Sequence, residues 1–346
     1  MKTQRIKLLL MAIFVVAFGT TRADYSQKVH KAWPNNKVKA MEVASKFGNI
    51  NLLSDRDDSV TIDVRIEIED MDTKKAESLA NQIDFLFSLE NGVLKVKTKF
   101  SDRFKTNIDF KIIYTINIPT DKDLSIENKF GDVTLGNLNA NGYFDINYGN
   151  LYGQELKAPT GQKIKLKLKY GNANIESINR LNAELAYTKL NSGHIESAQF
   201  ETQYSIVKTE KMGDIMVDSK YDNYAIDAIN ELKAESKFTN WTVGKLNTRL
   251  QIETQYGDVD IKEVNKNFDN IWIENAYGNI KLGISPDASY LLESESHFCD
   301  VKFPTANIIT EIKENNYSTI KAVVGNPNPN SKVKIESRYG KVKLTL

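Results

Sequence analysis

The chain has 346 residues, of which 46 are Lys or Arg and 45 are Asp or Glu, so its formal net charge at pH 7 is +1. This even balance gives no sign of the basic surface that nucleic-acid-binding proteins carry. The single cysteine, Cys299, excludes a disulfide within the chain, and a small residue packed at a bend explains it better than a reactive thiol does.

The first 23 residues have the features of a secretory signal peptide. Lys2, Arg5 and Lys7 precede an apolar run over residues 8–18, and small residues follow where a signal peptidase would cleave. The run is too short to span a bilayer comfortably, although an uncleaved anchor is the alternative. We therefore expect an exported protein without a membrane span after cleavage, in the periplasm, on the outer membrane surface or outside the cell.

Residues 24–122 are predicted to hold one repeat unit, Ser45–Leu52, and an inserted capping segment. Apolar and polar residues alternate in three runs, which are 60–68, 94–100 and 108–118. Between the first two runs, apolar residues fall at helical spacing, namely Ala76, Leu79, Ala80, Ile83 and Leu86. Asp72 or Thr73 could cap this helix. We predict an antiparallel sheet with one helix that closes the N-terminal end, because unpaired strands template aggregation.

A short motif repeats along the rest of the chain, residues 123–346. It is an aromatic residue, usually followed by Gly and then by Asn or Asp. With the early unit included, the aromatic residues are Phe47, Phe130, Tyr148, Tyr170, Tyr187, Tyr204, Tyr221, Phe238, Tyr256, Tyr277, Phe298, Tyr317 and Tyr339. Repetition at this period indicates a solenoid, in which each unit buries its apolar face against the next.

The pattern around each aromatic residue predicts two strands joined by a bend. Apolar residues alternate before it and reappear three and five positions after it, as Val259 and Ile261 do after Tyr256. This odd step requires a bend, which we place at the Gly-Asn or Gly-Asp pair because these residues tolerate positive φ. We predict an all-β parallel β-helix, right-handed or irregular, with coils roughly 4.8 Å apart and the aromatic rings in an internal stack.

The last predicted strand, residues 342–346, has no capping element after it. We expect an open C-terminal edge there, which must be short, covered by a loop or used to form an oligomer.

Acidic residues occupy the position three before the aromatic residue in most units. Apart from Lys167, this row is Glu127, Asp145, Glu184, Glu201, Asp218, Glu235, Glu253, Glu274, Glu295, Glu314 and Glu336. Stacked carboxylates would repel one another by roughly 1 kcal/mol in water, and basic residues beside the row, such as Lys220 and Lys237, could compensate. A solvated, salt-bridged face is the simpler interpretation. The alternative is a binding row for divalent cations or a basic partner, formed by Glu184, Glu201, Asp218, Glu235, Glu253, Glu274 and Glu295.

The other polar residues that recur in the repeats are predicted to have a structural role rather than a catalytic one. Asn or Asp recurs two positions after the aromatic residue, and turn formation explains a repeated element better than catalysis does. His30, His194 and His297 do not fall at metal-ligand spacing, and no nucleophile elbow or phosphate-binding loop is present. We expect no catalytic residue, no metal and no cofactor.

The clearest repeat units are 46–50, 129–133, 169–173, 255–259 and 276–280. In these units the chain resembles the bacterial putative-adhesin family of β-strand-repeat domains of unknown function, and the inserted segment that ends at residue 119 is similar too. The resemblance implies an exported protein, of the kind found in Bacteroidetes-like bacteria, without a catalytic motif. Thr188, Ser205, Asp222 and Thr239 replace the motif glycine in the middle units.

Taken together, these patterns favour an exported, non-catalytic β-solenoid that acts as an adhesive or interaction surface. Its expected partner is a protein or polysaccharide of the cell envelope or surface. Two alternatives are a carbohydrate-active β-helix enzyme and an envelope sensor or assembly scaffold. The enzyme requires one unrepeated cluster of acids with Lys or Arg, and none stands out in the sequence.

Overall fold

The computed structural model describes residues 25–54, 58–69, 72–102 and 104–346. Within these ranges the chain is almost entirely β-strand, and the strands wind into a β-solenoid whose coils stack side by side. The predicted all-β repeat architecture is therefore confirmed. The predicted signal peptide, residues 1–23, lies outside the described residues.

The rod combines short strands of up to 10 residues with four longer ones, of which β12 is the longest at 40 residues and β13, β14 and β15 have 15 or 16. Its N-terminal part contains β1 (Tyr25–Pro34), a 3-10 helix (Asn35–Lys37), β2 (Ala40–Lys46), β3 (Gly48–Leu53), β4 (Ser59–Ile68), α1 (Thr73–Ala80), β5 (Ile83–Glu90), β6 (Val93–Phe100) and β7 (Phe110–Asn117). The middle contains β8 (Asp123–Lys129), β9 (Val133–Leu135), β10 (Gly142–Asn147), β11 (Leu151–Leu156), β12 (Ile164–Gln203), β13 (Ile206–Lys220), β14 (Asn223–Lys237), β15 (Asn240–Gln255), β16 (Val259–Val264), β17 (Asn270–Ala276) and β18 (Ile280–Ile284). The C-terminal part contains β19 (Tyr290–His297), β20 (Asp300–Lys302), β21 (Asn307–Glu314), β22 (Tyr317–Val324), β23 (Ser331–Arg338) and β24 (Lys341–Thr345).

Each coil turns at the aromatic residue of its repeat, and this corner separates two faces of the rod. The first face, before the corner, has the strand order β5, β6, β2, β8, β10, β12, β13, β14, β15, β17, β23, β19, β22, β21. The second face, after the corner, has the order β1, β4, β7, β3, β9, β11, β12, β13, β14, β15, β16, β18, β24, β20. Pairing is parallel except near the two ends, where antiparallel strands continue the sheet.

The N-terminal end is closed by the inserted segment, as the alternating runs predict. β5 pairs antiparallel with β6, and β1, β4 and β7 form an antiparallel sheet. The Asp72 carboxylate accepts hydrogen bonds from the backbone N–H groups of Lys74 and Lys75 and so caps α1. The helix ends at Ala80, earlier than its apolar spacing predicts, because the following residues pair with β6 and continue as a strand.

The bend at each corner is made by the aromatic residue itself. In the twelve corners of the described chain the aromatic residue has φ between 50° and 62°, whereas the glycines that follow are not in the left-handed region. The prediction that glycine supplies the positive φ is therefore wrong. Tyr317, which the motif also includes, is the first residue of β22, does not have a positive φ and forms no corner.

At most corners that carry a glycine after the aromatic residue, the adjacent coil approaches too closely for a side chain. A Cβ atom on Gly171 would lie 1.9 Å from the carbonyl oxygen of Gly149 in the neighbouring coil. Comparable distances of 1.9–2.2 Å are found at Gly131, Gly149, Gly257, Gly278 and Gly340. In the middle coils the replacing side chains are buried and find polar partners inside the rod, as when the Thr188 hydroxyl lies 3.1 and 3.0 Å from its two possible acceptors, the carbonyl oxygens of Leu168 and Ala186.

The last coil of the sequence is not the last coil of the rod. β23 lies between β17 and β19, and β24 lies between β18 and β20. The predicted open edge at the C-terminal strand is thus wrong, because β24 has a hydrogen-bonded neighbour on both sides. The first coil is inserted in the same way, with β2 between β6 and β8 and β3 between β7 and β9.

Replacing Gly171 by Ala should lower the free energy of unfolding by about 2 kcal/mol or more, because the new methyl group collides with a backbone oxygen that cannot move aside. Gly136→Ala is the matched control, since its Cβ would meet nothing closer than 3.7 Å, and it should change stability by less than about 1 kcal/mol. Urea unfolding of both variants measures the difference. Equal stabilities would contradict the close approach of the coils.

Candidate binding groove

The acidic row forms a line of carboxylates along the first face. Backbone register places its members in the order Glu201, Asp218, Glu235, Glu253, Glu274, Glu336 and Glu295. Glu184 lines the same depression as Glu201 and Asp218 at one end of this line. Glu336 separates Glu274 from Glu295 because its coil is inserted between theirs. Glu314 lies in β21, opposite Tyr317, and is not part of the row.

Ion pairs with lysines flank the middle of the row, whereas the middle itself has none among the described residues. Lys167 Nζ lies 2.8 Å from Glu184 Oε1, and Lys334 Nζ lies 2.7 Å from Glu336 Oε1. These contacts raise the pKa of both lysines through their hydrogen bonds to the carboxylates. Among the described residues, no basic nitrogen lies within 4.0 Å of the five carboxylates from the middle of the row, which are Glu201, Asp218, Glu235, Glu253 and Glu274.

The row lines a continuous shallow groove. Three depressions of about 230, 350 and 100 Å³ follow one another along the rod. The first two share Asp218 and Lys220, and the second and third share Gln255 and Glu274. We call this surface the acidic groove. The basic side chains expected to compensate the row, Lys220 and Lys237 among them, line the groove without an ion pair to its acids.

The walls of the groove rest on small buried polar residues two positions before the corner. The Ser236 hydroxyl donates to the Thr254 hydroxyl at 2.8 Å, and Trp241 Nε1 donates to Ser236 at 3.2 Å. These interior bonds hold neighbouring coils together, and they satisfy polar groups that would otherwise be costly to bury. The sequence signal for this layer is a Ser, Thr or Asn at an inward position in successive repeats.

A buried carboxylate, Asp222, completes the interior network under the groove. Its oxygens accept hydrogen bonds from the hydroxyls of Thr202 and Ser219, at 2.6 and 2.7 Å, and from the backbone N–H of Ser205. Burial raises the pKa of Asp222 above its ordinary value, and the hydrogen bonds from Ser219 and Thr202 oppose that change. Asp222 points into the rod, so it fixes the coil rather than contacting a ligand.

An exposed ladder of aromatic rings borders the acidic groove at the corner. Consecutive rings from Phe47 to Phe298 have centroids 4.7–5.1 Å apart and planes within 18° of parallel. The predicted stack is confirmed, but it is not internal, since its exposed rings show 39–52% of their surface to solvent. The rings point outward because each corner residue is in the left-handed conformation. Their faces cover one another, so the ladder presents ring edges and tyrosine hydroxyls.

The sequence profile of Toastrack DUF4097 matches residues 38–345. The chain belongs to the Toastrack DUF4097 family. Among curated proteins, none matches the chain.

Solved structures similar to this Toastrack chain include a "putative adhesin" from Bacteroides fragilis NCTC 9343, with 13% identity, coverage of 92% of this chain and 97% of that one, and a TM-score of 0.29. A "putative adhesin" from Parabacteroides merdae ATCC 43184 has 13% identity, the same coverages and a TM-score of 0.31. A "putative lipid binding protein" from Parabacteroides distasonis ATCC 8503 has 12% identity, coverage of 75% and 97%, and a TM-score of 0.35.

In this Toastrack chain, the Asn and Asp row after the corner serves the scaffold, as its turn chemistry predicts. In six of these residues the side-chain oxygen accepts a hydrogen bond from a backbone N–H of the next coil, namely in Asn49, Asp132, Asn150, Asn240, Asp258 and Asn279. Asp132 accepts from Asn150 at 2.8 Å, and Asn150 accepts from Asn172 at 2.9 Å. Because these oxygens are already bonded within the rod, the row is a coil-to-coil tie and leaves the groove as the candidate site.

In the described part of this Toastrack chain, no group of three or more His, Cys, Asp or Glu side chains is placed to hold a metal ion. Cys299 sits at a corner, where its sulfur lies 3.2 Å from the carbonyl oxygen of His297 and accepts from the backbone N–H of Gly340 at 3.3 Å. It is therefore packed at a bend, as the sequence predicts.

Among the described residues, no helix combines the length and hydrophobicity needed to cross a membrane.

Removing one ring from the ladder should weaken the Toastrack rod. Tyr204 stacks on Tyr187 at 4.9 Å and on Tyr221 at 4.8 Å, so Tyr204→Ala should cost roughly 1–3 kcal/mol of unfolding free energy. Tyr204→Phe should cost less than about 0.5 kcal/mol, because Phe238 already occupies an equivalent position and the hydroxyl is on the surface. Chemical denaturation compares the two variants. A neutral Tyr204→Ala would mean that the ladder does not stabilise the coils.

Proposed function

We propose that this chain is an exported, non-catalytic rod that binds an extended cationic partner along its acidic groove. The partner is a basic protein segment or an amine-bearing polysaccharide of the cell envelope or surface, and the shared chemistry is a row of positive charges along an extended chain. Export rests on the predicted signal peptide, residues 1–23. The observation that carries the proposal is the run of five unpaired carboxylates at strand spacing.

The spacing of the groove favours a polymer over a small ligand. Neighbouring carboxylates on paired parallel strands lie about 4.8 Å apart, so one charge on each coil becomes a regular line of charges. A short ligand can meet two or three of them, whereas an extended chain meets all of them at once. Each exposed contact is weak, on the order of 0.2–1 kcal/mol, and affinity therefore comes from their number.

A repeated surface also supports a non-catalytic role. Catalysis uses one constellation of unlike groups, in which neighbouring carboxyls have different environments and different pKa values. The groove acids instead repeat the same environment from coil to coil. The aromatic ladder beside them offers hydroxyls and ring edges at the same spacing, which suits contact along the length of a partner.

The proposal can be tested with a variant that neutralises Glu201, Glu235, Glu253 and Glu274 to Gln. We expect its affinity for an oligolysine peptide to fall about tenfold or more, because four weak contacts are removed together. The single change Glu235→Gln should cost less than about threefold. Calorimetry or fluorescence anisotropy at low salt measures both, and raised salt should weaken wild-type binding.

The matched control neutralises four exposed acids elsewhere on the coils, Glu176, Glu196, Glu210 and Asp227, which changes the net charge equally. It should bind oligolysine like the wild type. A chitosan oligosaccharide used as a second probe separates a polysaccharide partner from a basic peptide. Equal losses in the groove variant and the control would show a general charge effect and contradict the groove as the site, as would complete loss of binding in the single variant.

A further inference from the structure

The rod ends in a strand with a hydrogen-bonded neighbour on one side only. Within the described chain, β21 pairs with β22 and with no other strand. Every residue of β21 is exposed, and Ile308, Ile309 and Ile312 each show 47–55% of their surface. Unpaired backbone groups beside exposed apolar side chains form a template for a further strand. This end is therefore a candidate interface.

The two ends of the aromatic ladder also differ, because other rings cover its first end and leave its last ring exposed. At the N-terminal end, Phe47 packs against the edges of Phe100 and Phe110, with centroids 5.9 and 5.8 Å away. At the other end, Phe298 stacks only on Tyr339 among the described rings, and it is 52% exposed. The inserted segment covers the first end of the rod, whereas none of the described helices covers the end that carries β21.

Pairing with β22 fixes the direction of each β21 side chain. Glu311 lies opposite the buried residue Ile320, and Ile312 lies opposite Thr319. Since side chains alternate along a strand, Glu311 and Lys313 point to one side while Thr310, Ile312 and Glu314 point to the other. The ion pair between Lys313 Nζ and Glu311 Oε1, at 2.5 Å, is consistent with this arrangement.

We propose that β21 pairs antiparallel with β21 of a second copy of this chain, around a two-fold axis at Ile312. In this register Ile312 faces Ile312 of the second copy. Glu311 faces Lys313 of the second copy, and the symmetry repeats this attractive pair. Thr310 faces Glu314 of the second copy.

The neighbouring registers are disfavoured by charge. In an antiparallel pair, side chains of residues that lie directly opposite each other point to the same face of the sheet. The two-fold axis must therefore lie where a residue faces its own copy. An axis at Glu311 would set two glutamates opposite each other, and an axis at Lys313 would set two lysines opposite each other. Like charges directly opposite are destabilising. Of the three axis positions compared, Glu311, Ile312 and Lys313, only Ile312 places an apolar contact at the axis and attractive charge pairs on both sides of it.

The end of the rod leaves room for the second copy. β22 and β21 continue the first face beyond β19, whereas the second face stops at β20, which is level with β19. No strand of the described chain lies outside β21. The two rods would join end to end, which brings their first faces into one longer surface.

Charge reversal tests this interface in the full mature chain. Glu311→Lys sets Lys opposite Lys, and Lys313→Glu sets Glu opposite Glu, so each variant alone should dimerise about tenfold or more weakly than the wild type. An equimolar mixture of the two variants should recover the dimer, because the heterodimer contains only attractive pairs. Sedimentation velocity over a range of concentrations measures each case.

The mixing step keeps the test independent of folding, since misfolded variants would not regain a dimer in each other's presence. The double variant Glu311→Lys with Lys313→Glu should also dimerise like the wild type. A wild-type chain that stays monomeric at every concentration would overturn the proposal. So would a wild-type dimer that both single variants retain, or a mixture that stays as weak as its components.

Discussion

The structure depends on the close, in-register approach of the coils at their aromatic corner. At the corners that carry glycine, such as Gly171 and Gly149, the backbone of one coil meets a carbonyl oxygen of the next at a distance that leaves no room for a Cβ atom. The aromatic residue beside it takes the left-handed conformation and turns its ring outward. Hydrogen bonds from coil to coil, such as Asp132 to Asn150, fix the same register. One residue type at one repeat position therefore becomes a row along the rod.

This register explains why the surface consists of stripes. The inward positions bury apolar and small polar residues, the corner carries stacked rings, and the position three before the corner carries acids. Stacked rings attract and stacked carboxylates repel, so the same spacing stabilises one stripe and strains the other. Lysines relieve that repulsion near Glu184 and Glu336. The middle of the acidic groove lacks such partners in the described chain, so its carboxylates have no ion pair.

Sequence periodicity is enough to predict the solenoid, the corner positions and the alignment of Glu201 with Asp218 and Glu235, because each depends on neighbouring coils that follow one another in the chain. It does not predict the position of Glu336 between Glu274 and Glu295. All three carry the same local pattern, and their order is set by long-range pairing of the last coil. Periodicity also leaves the direction of the corner ring undetermined, since a bend reverses the alternation of inward and outward sites. For the same reason, periodicity does not predict that β21 forms the edge of the sheet. This edge becomes clear only once β23 and β24 are known to pair between earlier strands.

The insertion of the last coil is the most direct test of the in-register account. In a Cys299→Ser background, the pair Glu274→Cys and Glu336→Cys should form a disulfide under mild oxidation, since paired strands place their Cα atoms about 5 Å apart. The pair Glu274→Cys and Glu295→Cys should not, because those residues are two strands apart, at roughly 9.5 Å. Non-reducing electrophoresis distinguishes the two. A cross-link between 274 and 295 without one between 274 and 336 would mean that the coils stack in sequence order, and it would contradict the structure.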